Sequence, residues 1–476
     1  MSHLMNENID NFAFLKDAKD LLTSNDISFF VEEEYKLTRV SMDGLCTFMG
    51  TVQDQKVGVI MTDFRSAGGS FASKNSQRMI SFIRYLEAEK LPLVLILDSL
   101  GVRFMDGRAV FDDAFGVMPE LFRFKQNNLF LCVAAGKALG IASLFFAQAH
   151  YRIAVQEAAQ FNLTGPEVHK KFFGKTDDCF SKFASAEHQF EVNYLVHEMH
   201  NEVSPALRKC RNLIQLLSSE IKISSSSSFV LQDQEQGCPS LNGSYTDALR
   251  NLVAQLGDDR IELFEQRSAV VRVYIARFES QLVGVFLNPP GHPNNMLTVN
   301  AVEKYQSAIE LFKALKLPVV SILDCPGGDP RRRESDADAL MKMVRLTHEM
   351  IAYPYPKMGI INGRCFGGSG IFSFPKIFGG VTLLAVENSQ MGVMHKSIID
   401  EVLNGSPRLL ARWKELEKKE TTELTDLIEK GTIQKIITAD SIGFEIMKFL
   451  MIYARKKTSK SLISEDWETK TVSKIV

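Results

Sequence analysis

Residues 91–101 read LPLVLILDSLG and residues 317–327 read LPVVSILDCPG, an offset of 226 residues (317 minus 91). The same offset carries Val57-Gly58-Val59 onto Val283-Gly284-Val285, and the stripe Met79, Ile83, Leu86 onto Tyr305, Ile309, Phe312. One register later, at 227, the GKALG of 136–140 meets the GRCFG of 363–367. Any one of these matches could arise by chance, but their collinear order marks a tandem duplication. A chain built this way has to fold as two copies of one unit.

Each copy follows the same grammar. A short apolar strand (57–62; 283–288) leads through a Gly/Pro-bearing loop to a helix whose apolar residues recur at steps of three and four. That helix ends before Leu-Pro, because the residue before proline is pushed out of the helical region. A nearly continuous apolar strand follows (92–97; 318–323), of the kind buried on both faces of a parallel sheet. Then come a polar loop, another helix, a third strand (129–135; 357–362), the glycine turn and a short apolar helix. Strands alternating with helices predict an α/β architecture with largely parallel sheets. The expected division is an N-terminal extension over 1–40, a first domain over 41–204, a serine-rich linker over 205–245, a second domain over 246–440 and a helical tail over 441–476. Both terminal extensions read as helical or irregular.

Composition excludes several function classes. With 55 Lys+Arg against 57 Asp+Glu, scattered along the chain, there is no broad basic surface for nucleic acid or an anionic membrane. No apolar run approaches the roughly 18 residues of a membrane span, and the first twenty residues have neither a signal-peptide core nor the arginine-rich character of a transit peptide. The seven cysteines show no CxxC and no regular spacing, which predicts reduced thiols and a cytoplasmic location. His197-Glu198-Met199-His200 is the nearest approach to a metal motif. Its spacing is not HExxH, so it is read as a polar helix face, and no metal is expected.

Chemistry is expected where strands end. In GKALGIAS (136–143) and GRCFGGSG (363–370) a buried strand runs into glycines and then a helix start. Glycine permits the sharp turn and a close ligand approach, and the helix start leaves unpaired N–H groups at the positive end of a dipole. Such donors hold an oxygen that becomes an oxyanion during reaction. Neither turn continues as a phosphate loop. Around them stand the DFRSAGGS loop (63–70), with Gly68, Gly69 and Ser70, and the NPPG loop that begins at Asn288. Asp98 to Arg103 and Asp324 to Asp329 contribute Arg103 as a candidate ligand contact and Gly327 at the second loop. Asp98 and Asp324 are read as braces before acid/base groups. Lys342, in Met-Lys-Met, imitates a biotinylation tripeptide but lies in a helical stretch.

The collinear set of DFRSAGGS, DSLGVR, GKALG, LNPPG, ILDCPGG and GRCFGGSG resembles the biotin-dependent acyl-CoA carboxyltransferase family over about residues 40–440. That family includes the carboxyltransferase subunits of propionyl-CoA and acetyl-CoA carboxylases, several acyl-CoA decarboxylases and malonate decarboxylase. The resemblance implies two tandem crotonase-like domains (the ClpP/crotonase, ββα-superhelix fold) in a homo-oligomer, a dimer or trimer of dimers, with active sites between subunits. It also implies an acyl-CoA or acyl-carrier thioester substrate, carboxybiotin on a separate carrier, and partner biotin carboxylase and carrier subunits. Carried over by position, Gly140 and Ile141 stand at the first oxyanion turn and Gly367 and Gly368 at the second. The sequence departs from the family at Ile141, where a second glycine is usual and a branched side chain is expected to narrow the approach. It departs again at Leu100 and Val102 in DSLGVR and at Gln434, which stands where the family has an acid. Two alternatives stay open: a biotin-independent decarboxylase or acyltransferase of malonyl-type thioesters, and a catalytically weakened CoA-binding or scaffold subunit.

Overall fold

The computed structural model describes residues 2–11, 13–32, 43–174, 179–217, 243–292, 295–331, 338–419 and 424–460. The serine run Ser224 to Ser228, Cys238 and the pair Arg332 and Arg333 lie outside the described residues, as does the tail after 460.

The first half contains β1 (Ser2–Asn8), β2 (Asp26–Glu32), β3 (Leu45–Val52), β4 (Gln55–Thr62), α1 (Ser73–Glu89), β5 (Leu93–Ser99), α2 (Ala109–Lys125), β6 (Phe130–Leu139), α3 (Ile141–Gln148), β7 (Tyr151–Val155), β8 (Gln160–Asn162), α4 (Pro166–Phe173), α5 (Cys179–Phe183), α6 (Ala186–Glu191), β9 (Glu198–His200) and α7 (Val203–Leu217). Its sheet runs in the order β1-β2-β3-β4-β5-β6-β7-β9, with β8 beside β6. The pairings from β1 to β4 are antiparallel, and those from β4 onward are parallel. The second half contains α8 (Gly243–Ala254), β10 (Arg260–Leu263), β11 (Arg272–Phe278), β12 (Gln281–Leu287), α9 (Val299–Ala314), β13 (Val319–Cys325), β14 (Lys357–Phe366), β15 (Thr382–Val386), β16 (Gln390–Gly392) and β17 (Lys435–Ile437), in the order β10-β11-β12-β13-β14-β15-β17 with β16 beside β14.

The duplication is exact in register. Leu93 pairs with Phe130 and Val319 with Lys357, and both ladders slip after Leu97/Ala134 and Leu323/Ile361, resuming at Ser99/Ala138 and Cys325/Cys365. The one residue that changes the offset from 226 to 227 therefore lies in the connection between these strands, outside the sheet. The apolar stripes do the same work in both halves: Met79, Ile83 and Leu86 of α1 and Tyr305, Ile309 and Phe312 of α9 are all at most 1% exposed. Both helices are followed by a lysine in the left-handed conformation, Lys90 and Lys316, which turns the chain before Leu-Pro.

One buried cluster spans the molecule. It takes Val94, Ile96, Leu131 and Ile153 from one sheet, Val273, Ile275, Phe286 and Val319 from the other, and Leu207, Leu213 and Ile214 from α7 between them. Two further clusters seal the outer faces, one under α1 to α3 and one under α8. Polar groups cross the same seam. Tyr151 donates to Glu198 Oε2 at 2.5 Å while its oxygen accepts the amide of Phe264 at 2.9 Å. Lys125 Nζ meets Glu310 Oε1 at 2.5 Å, and Ser307 Oγ lies 3.2 Å from His197 Nε2.

Three expectations need correction. The N-terminal extension, expected to be helical or irregular, holds β1 and β2, which extend the first sheet. The stretch from 205 begins in α7, whose apolar side is buried in the shared cluster. Residues 198–200 form strand β9 and not a helix face, with His197 and Glu198 both buried, because a short alternating segment beside β7 satisfies its backbone in the sheet. Lys342 does lie in a helix, Ala339–Ile351, where it pairs with Glu303 at 2.8 Å. Among the described residues, no helix is long and apolar enough to cross a membrane.

Candidate functional site

Parallel strands deliver their loops to one edge of the sheet, which is where ligands bind in such folds. In the first half, the loops after β4 and β5 are laced together there. The Leu100 amide donates to Gly68 O at 2.9 Å, Phe71 to Gly101 O at 2.8 Å and Arg103 to Phe71 O at 2.8 Å. Gly69 packs directly against the carbonyl of Asp98, leaving no room for a side chain. Arg103 and Ser70 do come together, as partners of one another: Arg103 Nε donates to Ser70 Oγ at 3.0 Å and Nη2 to Asp43 O at 2.6 Å and Ser70 O at 3.1 Å. Two of the three guanidinium nitrogens, Nε and Nη2, thus hold these loops together.

The loop after β6 carries the first turn. Gly140 has φ 57°, a conformation that disfavours other residues, and a Cβ on neighbouring Gly101 would meet Leu139 O at 2.8 Å. The Gly140 amide donates to Asn162 O at 2.8 Å, and Ser143 Oγ donates to Gly140 O at 2.7 Å. The turn is thus fixed, and the next amide is that of Ile141, at the first position of α3 with no carbonyl one turn back within the helix. The expected obstruction by Ile141 is overturned. Its side chain is 4% exposed and belongs to the cluster of Phe145, Phe146 and Phe161, because an apolar residue at a helix start above a core gains more from burial than from standing in the turn. Leu100 carries the bulk instead. It is 47% exposed and lies across Gly68, where an added Cβ would meet its Cδ1 at 2.6 Å.

The second turn is more open. Gly367 repeats φ 57°, and nothing stands within 4 Å of a Cβ built on Gly368 or Gly370. Ser369 Oγ donates to Phe366 O at 2.8 Å and is 3.0 Å from Cys325 O, tying the turn to the end of β13. The Gly327 carbonyl accepts the Leu297 amide at 2.9 Å. Asn288 is buried: its Nδ2 donates to Val270 O at 2.6 Å and its Oδ1 accepts from Tyr305 at 3.3 Å. It positions the loop that follows β12.

Both aspartates lie beneath the turns as braces. Asp98 Oδ1 accepts the Lys137 amide at 2.9 Å, and burial raises its pKa above the usual carboxylate range. In the second half Asp324 accepts from the Arg364 amide and Nε, each at 2.8 Å, and from the Gly291 amide at 2.7 Å. The basic partners Lys137 and Arg364 are themselves equivalent positions. The signal was the second residue of GKALG and GRCFG, which sequence reasoning passed over in favour of the glycines. A hollow of about 400 Å³ beside the first turn, lined by α3, β8, Phe183 and Leu195, had no sequence signature.

The model of the carboxyl transferase domain matches residues 13–459, and the chain belongs to that family. It is 24% identical over 379 residues to the propionyl-CoA carboxylase beta chain of Saccharopolyspora erythraea, covering 74% of this chain and 67% of that protein. It is 23% identical over 371 residues to the methylmalonyl-CoA decarboxylase subunit alpha of Veillonella parvula, with 74% and 70% covered. Among solved structures, the transcarboxylase 12S hexamer with methylmalonyl-CoA bound superposes with a TM-score of 0.75 at 19% identity, over 93% of this chain and 89% of that one. The fold is that of two tandem crotonase-like domains, as the resemblance implied.

Proposed function

We propose that this carboxyl transferase moves a carboxyl group between carboxybiotin on a separate carrier and a small acyl-CoA, through an enolate held by backbone N–H groups. The observation that carries the reading is the repeated turn: a positive-φ glycine, Gly140 or Gly367, joins a buried strand to a helix start, whose first amides have no acceptor within the helix. With the Gly140 amide bound to Asn162, the Ile141 amide is the donor for the thioester oxygen. The Gly368 amide serves the ureido oxygen of biotin, and the space around Gly368 and Gly370 suits a flat ring that a side chain would displace. Carboxybiotin supplies the carboxyl group and, once it is lost, the base for the α-proton. The chain's own share is to hold both oxygens and fix the loops through Arg103–Ser70 and Asp324–Arg364. Preorganised donors of this kind are each worth about 2.7–4 kcal/mol of transition-state stabilisation.

A homo-oligomer with sites between subunits fits the exposed apolar side chains on the outer loops of both halves: Phe104 (82%) and Met105 (79%) in the first, Ile377 and Val393 (86% each) in the second. Separate biotin carboxylase and carrier subunits and a cytoplasmic location belong to the same reading. Incubation of the purified protein with malonyl-, methylmalonyl-, acetyl- and propionyl-CoA, with and without a biotinylated carrier, tests it. Carrier-dependent exchange of the carboxyl group is expected. Carbon dioxide release without biotin would instead establish the decarboxylase alternative, and no turnover with no CoA binding would leave the scaffold.

A further inference from the structure

The cations that follow the equivalent glycines Gly136 and Gly363 are spent differently. Arg364 forks onto Asp324 through Nε at 2.8 Å and Nη2 at 3.1 Å, and Nη2 donates again to His292 O at 2.6 Å. Lys137 gives Asp98 only its amide, at 2.9 Å. Its half-buried side chain turns to the loop after β4, where Nζ stands 5.3 Å from the centre of the Phe64 ring. Since β5 lies between β4 and β6, the two side chains bridge the C-terminal end of β5, on the strand-end edge that carries the first turn. An aromatic face attracts a cation without using up the three donors of the ammonium. The acids nearby are engaged elsewhere: Asp63 holds Arg65 at 2.8 Å, and Asp98 accepts the Lys137 amide. Among the described residues, Nζ has neither a hydrogen-bond acceptor nor an ion-pair partner.

Resting on the enzymatic reading above, we infer that Lys137 is a specificity-determining residue whose ammonium pairs with the free carboxylate of the carboxylated thioester, so that the first site favours a malonyl-type acyl group over its uncarboxylated counterpart. Cation and turn flank the same stretch of chain. Asp98 lies across Gly136, next to Lys137, and the Cα of Gly101 is 3.8 Å from a Cβ built on Gly140. Lys137 and Gly140 are three positions apart, about 10 Å of strand, a span that a lysine side chain and a three-carbon acyl group bridge between them. The Ile141 amide then takes the thioester oxygen, and the ammonium takes the charge at the far end of the acyl group. The second half offers no such cation, because Arg364 is bound to Asp324.

The test is the dissociation constant of the purified full chain for free CoA, acetyl-CoA and malonyl-CoA, measured by calorimetry without biotin. Comparing the two thioesters cancels the CoA part, which they share. One ion pair at a partly exposed site is worth up to about fivefold in binding, so malonyl-CoA should bind about fivefold more tightly than acetyl-CoA. In Lys137→Met, which keeps the side chain's length without its charge, that ratio should fall to one while the affinity for free CoA holds. Lys137→Arg should keep most of the preference. Binding of both thioesters with a ratio near one in the original protein would overturn this inference alone, as would a preference that survives Lys137→Met. Equal weakening of free CoA and both thioesters in Lys137→Met would give the lysine to a phosphate of CoA and overturn the carboxylate assignment. No binding of CoA or of either thioester by the original protein would overturn the acyl-CoA reading and this inference with it.

Discussion

The carboxyl group of Asp324 lies across Gly363, so close that a Cβ on the glycine would stand 2.7 Å from the carboxyl carbon. Gly363 also sits at φ 138°. Asp98 and Gly136 repeat the contact in the first half. The strand gives up a side chain so that a carboxylate can reach the following amide.

Asp324→Ala should cost about 3–5 kcal/mol, because it leaves the Arg364 guanidinium and the Gly291 amide without their buried acceptor. Urea unfolding measures this. A loss under 1 kcal/mol would mean that Asp324 is not the brace described.

Gly368→Val places a side chain in open space, so the melting temperature should hold while carboxyl transfer falls on the order of 100-fold or more. Retained activity in a folded variant would remove Gly368 from the site.

Arg103→Lys keeps the charge and loses the fork that joins Asp43 and Ser70. The loops should loosen, with KM for the thioester rising more than kcat falls. Equal loss in both, with an unchanged melting temperature, would instead point to direct contact with the reacting group.

Tyr151→Phe removes a hydroxyl that both donates to Glu198 and accepts from Phe264. Leaving the buried Phe264 amide without its acceptor, while Glu198 keeps His200 and Lys209, should cost about 1–3 kcal/mol. Denaturant midpoints of the two proteins decide it.

Acidification should destabilise the chain through its buried histidines. Burial, with Lys125 nearby, pushes the pKa of His150 down to about 4, and burial with Arg152 and Arg267 lowers that of His197 in the same direction. An unfolded histidine titrates near 6.5. Between these values the unfolded chain takes up a proton that the folded chain refuses, so stability present above pH 6.5 is lost as pH falls towards 4. His150 alone should account for about 2 kcal/mol at pH 5. Equal unfolding free energies at pH 7.5 and pH 5 would contradict it.

What the sequence disclosed follows from which interactions are local. The stripes of α1 and α9, the buried runs of β5 and β13 and the glycine turns are periodic or dictated by backbone geometry, so they could be read directly. Placement of β1 and β2 depends on pairing with β3, and the strand nature of 198–200 depends on β7, neither of which a local pattern contains. The site was legible in its glycines and illegible in its hydrogen bonds. Arg103 has the chemistry of a ligand contact, and only its proximity to Asp43, sixty positions away, shows that Nη2 also ties loops together. Ile141 reads as an obstruction in the turn until the core beneath α3 is seen to accept it.

The shared cluster and the crossing bonds of Tyr151 and Lys125 have a mechanical consequence. Two halves joined by a continuous apolar core and by the buried Tyr151–Phe264 bond cannot swing apart without exposing both, so the chain behaves as one body and not as a hinge. The halves should melt in a single cooperative step despite their origin as two.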